Sequence, residues 1–229
     1  MSSTMTPKTA KQLSQESKPF FRIGVSVDCV IFGFIHNELN VLLIRSDLQE
    51  FNDQLSLLGD LVKPNEDLDK AAHRILKERT GLDQVFLEQA HTFGEVHRHP
   101  AGRVITIAYY ALVNIQDHHL ALQNNQLEWH PVTAIKKMAF DHKKILQTCW
   151  GLLQQQIMEH PIVFHLLPPK FSLRQLQSLY EAILHTQLDR RNFRKRFFLM
   201  NWIEEVGELE QDVRHRPGKL YRFKPGKKE

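Results

Sequence analysis

Eleven residues near the middle of the chain, RVITIAYYALV (103–113), are almost continuously β-branched, aromatic or aliphatic. A strand with no polar face must be covered on both sides, so this run predicts a central strand of a sheet buried between two layers. The remaining pattern supplies those layers. GVSVDCVIFGF (24–34) and NVLLIRS (40–46) read as two strands joined across the polar break His36-Asn37-Glu38, and QVFLEQAHTFGEV (84–96) and LEWHPV (127–132) as two more. Asp67 precedes Leu68, Ala71, Ala72, Ile75 and Leu76, a helical spacing that Gly81 stops. A second helix is expected from Lys143 to His160, with Ile145, Leu146, Cys149, Leu152, Leu153 and Ile157 on one side; Pro161 ends it. The fold class is α+β, a mixed sheet with flanking helices.

Size and composition exclude several classes. In 229 residues, 42% hydrophobic and 24% charged, there is enough apolar material for a core. No run approaches the ~18 apolar residues of a membrane helix, and the polar start MSSTMTPKTAKQLSQESK lacks the apolar stretch of a secretory signal. Two cysteines far apart, Cys29 and Cys149, make neither a disulfide framework nor a cysteine zinc site. A cytoplasmic protein is expected, with residues 1–19 as a disordered arm.

Charge divides the chain. From Pro161 onward there are fourteen Lys and Arg against eight Asp and Glu; the first 160 residues carry sixteen against eighteen. A basic tail on a slightly acidic body is expected of a nucleic-acid-binding appendage. The tail pattern agrees. Ser172 can cap a helix bearing Leu173, Leu176, Leu179, Tyr180, Ile183 and Leu184. Asp189 can cap a second, running from Arg190 to about Asn201. A short apolar piece, a charged segment and the strand-like KLYRF (219–223) follow. Helix, tight turn, basic helix and hairpin make a winged helix-turn-helix over 161–229, after a first domain over 20–160.

On the second tail helix Phe193, Phe197 and Leu199-Met200 are expected to face the core. Arg190, Arg191, Asn192, Arg194, Lys195 and Arg196 are then free for DNA, since Arg reads guanine, Asn reads adenine and the rest bind phosphate. Ser172, Arg174, Arg214, Arg216 and Lys219 complete the expected DNA-binding set.

Around the first helix, Asp60, Glu66, Arg74, Ile75, Leu76, Glu78, Arg79, Gly81 and Leu82 together resemble the Nudix box, with departures at three positions. Asp60, preceded by Gly59, stands where the box has its first glycine; Ile75 and Arg79 replace two of the three helix carboxylates, leaving Glu78. In a Nudix hydrolase those carboxylates hold Mg²⁺ and a metal-bound water attacks a diphosphate. Ile75 offers no ligand, and a guanidinium about 4 Å from a dication costs several kcal/mol at an effective dielectric near 20. No catalytic residue, metal or cofactor is expected. Arg74 and Glu78, at i and i+4, fit a structural ion pair. The Pro/Gly turn FGEVHRHPAGR (93–103) gathers further polar groups, so an effector would meet Glu78, Arg79, Glu95, His97, Arg98 and Arg103.

From Phe20 to Phe223, with the altered box, SLRQLQSLYEAIL, DRRNFRKR and RPGKLYRF, the chain resembles the Nudix-related transcriptional regulators. Those proteins join a non-hydrolytic Nudix-like domain to a winged helix. The resemblance implies a homodimer on a pseudo-palindromic duplex DNA operator, responding to a small-molecule effector: ADP-ribose or a related nucleotide, or a pentose such as arabinose. The run AHTFGEVHRHPAGRVITIAYYALV looks closer to the sugar-responsive branch. Two rivals are a Nudix pyrophosphohydrolase acting on a nucleoside-diphosphate derivative, and a winged helix that binds protein instead of DNA.

Overall fold

The computed structural model describes residues 23–46, 48–115, 127–211 and 216–224. The expected arm (1–19) and Arg214 lie outside the described residues. Seven strands form one mixed sheet: β1 (Gly24–Ile35), β2 (Glu38–Arg45), β3 (Leu55–Ser56), β4 (Leu58–Leu61), β5 (Phe86–Phe93), β6 (Val104–Val113) and β7 (Leu127–Pro131). β6 is central, parallel to β1 from Gly24↔Val104 to Gly33↔Val113 and antiparallel to β5. β1 and β2 form an antiparallel hairpin. His36 and Asn37 turn it with φ of 51° and 63°, the doubly left-handed geometry that matches strand twist.

Alternation assigns the two faces. Val27, Cys29 and Ile31 with Ile107, Tyr109, Ala111 and Val113 pack against Ala71, Ala72, Ile75 and Leu76 of α1 (Leu68–Thr80). Val30 and Phe32 with Ala108, Tyr110 and Leu112 pack against Ile145, Leu146, Cys149 and Leu153 of α2 (His142–Gln156). Gly81 ends α1 with φ 73°, its N–H donating to the Lys77 carbonyl. No helix among the described residues is long and apolar enough to cross a membrane.

The tail folds as β8 (Phe171–Ser172), α3 (Leu173–Leu184), α4 (Arg190–Met200), β9 (Ile203–Leu209) and β10 (Lys219–Phe223), its three strands ordered β8-β10-β9. Ser172 Oγ accepts the Gln175 N–H while Gln175 Oε1 accepts the Ser172 N–H, a full capping box; Asp189 caps α4 through the Asn192 N–H. Leu176, Leu179, Tyr180, Ile183, Phe193 and Phe197 share one apolar core with α2 and that face of the sheet, so no polar gap separates tail from body. Three hydrogen bonds reinforce the junction. Trp150 Nε1 and Gln154 Nε2 both donate to the Ile183 carbonyl, at 2.8 and 2.9 Å, and the Tyr180 hydroxyl donates to the Ile157 carbonyl at 2.9 Å.

Several local expectations change. The strand expected over 84–96 covers only Phe86–Phe93, and the helix expected to reach His160 ends at Gln156, followed by a 3₁₀ turn over Pro161–Leu166. Asp67 stands at the N-cap of α1 but its side chain makes no capping bond. The charged segment after Trp202 is strand β9. Leu199, expected in the tail core, is 76% exposed.

Candidate functional site

The box residues assemble around one guanidinium. Arg74 Nε and Nη2 donate to the two Glu66 oxygens at 3.0 and 2.7 Å, and Nη1 reaches Asp60 at 3.2 Å and Glu78 at 3.1 Å. Nη2 also donates to the Leu61 carbonyl, tying α1 to the end of β4. Bonds from Arg74 and from the Lys63 N–H hold the Glu66 carboxyl down near a pKa of about 2. Arg74 is therefore more widely engaged than the single pair with Glu78 read from spacing.

This geometry does not fit Mg²⁺. Ile75 is 1% exposed and belongs to the core beneath α1, so the first carboxylate position has become packing. Glu78 is taken up by Arg74, with Lys63 Nζ 3.9 Å away. Arg79 is exposed and keeps its positive charge where the last carboxylate would stand. At positions 75, 78 and 79 the helix thus offers one already-paired carboxylate to a cation that wants several oxygen ligands.

A second polar cluster lies on the opposite face of the sheet. Asp28 follows Val27 on β1, and Val27 faces α1; Asp28 therefore turns towards α2. Arg98, from the β5–β6 connection, is buried here with its side chain 2% exposed. It grips Asp141 through Nε–Oδ2 at 2.9 Å and Nη2–Oδ1 at 2.6 Å, stands 3.7 Å from Asp28, and donates to the buried Thr106 hydroxyl. His142 completes the group. Its Nδ1 accepts the Leu57 N–H at 3.0 Å, which leaves the ring proton on Nε2, 3.8 Å from Asp28 Oδ2. Burial pushes the His142 pKa down, so the ring is held neutral. Gly59 is required beside this cluster, because a Cβ there would stand 1.9 Å from Asp28 Oδ1.

The expected effector set is consequently split. Arg98 is a buried structural cation, and in this arrangement it is out of reach of a ligand. A sequence scan missed this because its partners, Asp28 and Asp141, are distant in the chain. Glu95 pairs with Lys144 of α2, and Arg103 Nη1 donates to the Gly94 and Glu95 carbonyls at 2.8 and 3.0 Å. His97 is exposed. Arg103 and Glu78 stand towards one end of the sheet: the Gly24 N–H donates to the Arg103 carbonyl, Leu61 packs beside Gly24, and Arg74, bonded to the Leu61 carbonyl, holds Glu78.

In the tail, α4 sorts its polar side chains by direction. Arg190 and Arg194 line a groove of about 420 Å³ with Arg174 at the start of α3 and with Arg216 and Lys219 of the wing. Asn192 and Arg196 turn to the opposite flank, beside Met158, whose carbonyl accepts from Arg196 Nη2 at 3.3 Å. Arg191 and Lys195 point outward. Lys219 is paired with Glu205 at 2.8 Å. Ser172, counted above among the DNA contacts, is 2% exposed and caps α3; its place at the groove is structural. Five cations and one carboxylate, Glu210, line this concave surface; with the adjoining helix face also basic, the net positive charge suits a polyanion.

Comparison with known proteins gives this arrangement its relatives. Residues 22–149 match the NUDIX domain model and residues 163–223 the NrtR DNA-binding winged helix domain. A protein of Acinetobacter baylyi described as an ADPR responsive transcriptional repressor, NtrR, is 33% identical over 204 residues, covering 87% of this chain and 81% of its own. The crystal structure of Shewanella oneidensis NrtR complexed with a 27mer DNA superposes with a TM-score of 0.75 at 25% identity, over 87% of this chain and 93% of that one. The NUDIX domain of the same Shewanella protein, crystallised with ADP ribose, matches at 0.52 and 25% identity, over 64% and 99%. The altered box, the cationic groove and these matches lead to one assignment: the chain belongs to the NrtR family, a NUDIX domain followed by an NrtR-type winged helix.

Proposed function

We propose that this protein is a transcriptional repressor, acting in the cytoplasm, that binds duplex DNA through its winged helix and changes its hold on DNA when ADP-ribose enters the degenerate Nudix cleft. The observation that carries the reading is the convergence of Arg174, Arg190, Arg194, Arg216 and Lys219 on one groove. The loss of carboxylates at positions 75 and 79 favours binding over hydrolysis. Relatives described by ADP-ribose response and by DNA and ADP ribose complexes support both ligands, and favour the nucleotide over a pentose. Two copies acting together would match two half-sites of a pseudo-palindromic operator.

Within the cleft, exposed Arg79 is assigned to the diphosphate of ADP-ribose together with Arg103; His97 meets ribose hydroxyls, and Glu78 and Glu95 do so when the ligand competes with their partners Arg74 and Lys144. Arg191 and Lys195 complete the DNA face. The response has a physical route through α2. Its N-terminal end is tied to the β5–β6 connection by Arg98–Asp141 and Glu95–Lys144, and its C-terminal half to α3 by Trp150 and Gln154. A ligand drawing Glu95 away from Lys144 acts on a rod whose other end holds the winged helix.

The test is DNA affinity against salt. Five phosphate contacts give a slope of about −4.5 in log K against log salt, and replacing Arg174, Arg190 and Arg194 by Ala should flatten it by roughly three fifths. A flat slope for the wild-type protein on every duplex would overturn the DNA-binding reading.

A further inference from the structure

The outward face of α4 is not uniformly polar. With about 3.6 residues per turn, the buried Phe193 and Phe197 define the inward side. Arg190 and Arg194 fall on the flank of the cationic groove, and Asn192, Arg196 and Met200 on the other flank. Outward remain Arg191, Lys195, Phe198 and Leu199, and the last two are large, apolar and 54% and 76% exposed. Phe198 is steadied by the Tyr221 ring of β10, 6.1 Å between centroids. A face turned only to water has no use for two adjacent apolar side chains among cations.

Arg191, Arg194, Lys195 and Phe198 stand at i, i+3, i+4 and i+7, the stripe that a recognition helix lying along the major groove presents to base edges. We infer that Phe198, flanked by Leu199, is a specificity-determining residue that reads the 5-methyl groups of thymines in the major groove. The inference rests on the DNA-binding reading. The cations beside Phe198 select a polyanion as the occupant, and the thymine methyl is the apolar feature that duplex DNA offers there.

The experiment uses the full chain and a duplex that it selects itself from a randomised pool. Each thymine of that duplex is replaced in turn by uracil, which removes the methyl group and leaves pairing intact. Wild-type protein should lose roughly threefold to tenfold in affinity at one or two positions, the scale of one buried methyl or a little more. Phe198→Ala should bind the thymine duplex more weakly and show no difference between thymine and uracil at those positions. Phe198→Leu should keep part of the difference. Melting temperature serves as the folding control, and sedimentation as the control for assembly.

If no duplex is selected, the DNA-binding reading fails and the inference with it. Selection without any uracil effect overturns the inference alone. A uracil effect that persists in Phe198→Ala assigns the methyl to another residue and also overturns it. So does loss of self-association in Phe198→Ala, which would make this face a contact between copies.

Discussion

Replacing Arg98 by Met decides whether the β5–β6 connection serves the fold or the ligand. The substitution keeps the aliphatic stem and removes a guanidinium that is 2% exposed, doubly bonded to Asp141 and 3.7 Å from Asp28. Removing one partner of a buried pair costs about 3–5 kcal/mol, because the other charge stays buried without its counterion. Asp28 is the more enclosed of the two carboxylates, with Gly59 against one oxygen and His142 near the other. For a chain of this size, such a loss lowers Tm by roughly 6–20 °C.

Adding Asp28→Asn should restore part of the loss at neutral pH. Urea unfolding at pH 7.5 measures both the loss and its partial rescue. A loss below about 1 kcal/mol with an abolished ADP-ribose response would refute the reasoning and return Arg98 to the effector site.

Three further perturbations probe other parts of the account. Glu66 has a folded pKa of about 2, below its unfolded value, so its contribution is present above about pH 4.5 and is lost as pH falls towards 2. Glu66→Gln should flatten the acid limb of a Tm-against-pH curve, and an unchanged limb would contradict the Arg74 cluster. Trp150→Phe with Gln154→Ala removes both bonds to the Ile183 carbonyl. DNA affinity in the absence of ligand should change less than about threefold while the ratio of affinities with and without ADP-ribose moves towards one; an intact ratio would remove α2 as the route. Arg79→Glu alone should not release AMP from ADP-ribose at millimolar Mg²⁺, since Ile75 still faces the core, and Ile75→Glu added to it should destabilise the fold by burying a carboxylate. AMP release by the single variant, followed by chromatography, would contradict this account of the box.

Sequence periodicity carried the regular elements well where one face is buried. The doubly covered β6, the α1 spacing closed by Gly81 and the Ser172–Gln175 cap follow from local rules, because the forces that set them act within a few residues. β3 and β4 escaped because they are two and four residues long and exist through pairing with β2 and β1. The hairpin was expected, but that its first strand, β9, runs through the charged segment was not legible, because its partner, β10, supplies the hydrogen bonds that composition does not foretell. In the site, the missing carboxylates at 75 and 79 were legible as residue types. The burial of Arg98 was not, because it depends on two aspartates brought together by folding. An exposed Leu199 on an otherwise regular helix likewise depends on the angle at which α4 meets its neighbours.

The most direct measurement is a fluorescence-anisotropy titration of the full chain against labelled duplexes from upstream of its own gene and neighbouring genes, with ADP-ribose, with arabinose and with neither. The account predicts binding to at least one duplex, steeply weakened by salt, and an affinity altered by ADP-ribose and not by arabinose. Affinity that ADP-ribose leaves unchanged on every bound duplex would contradict it.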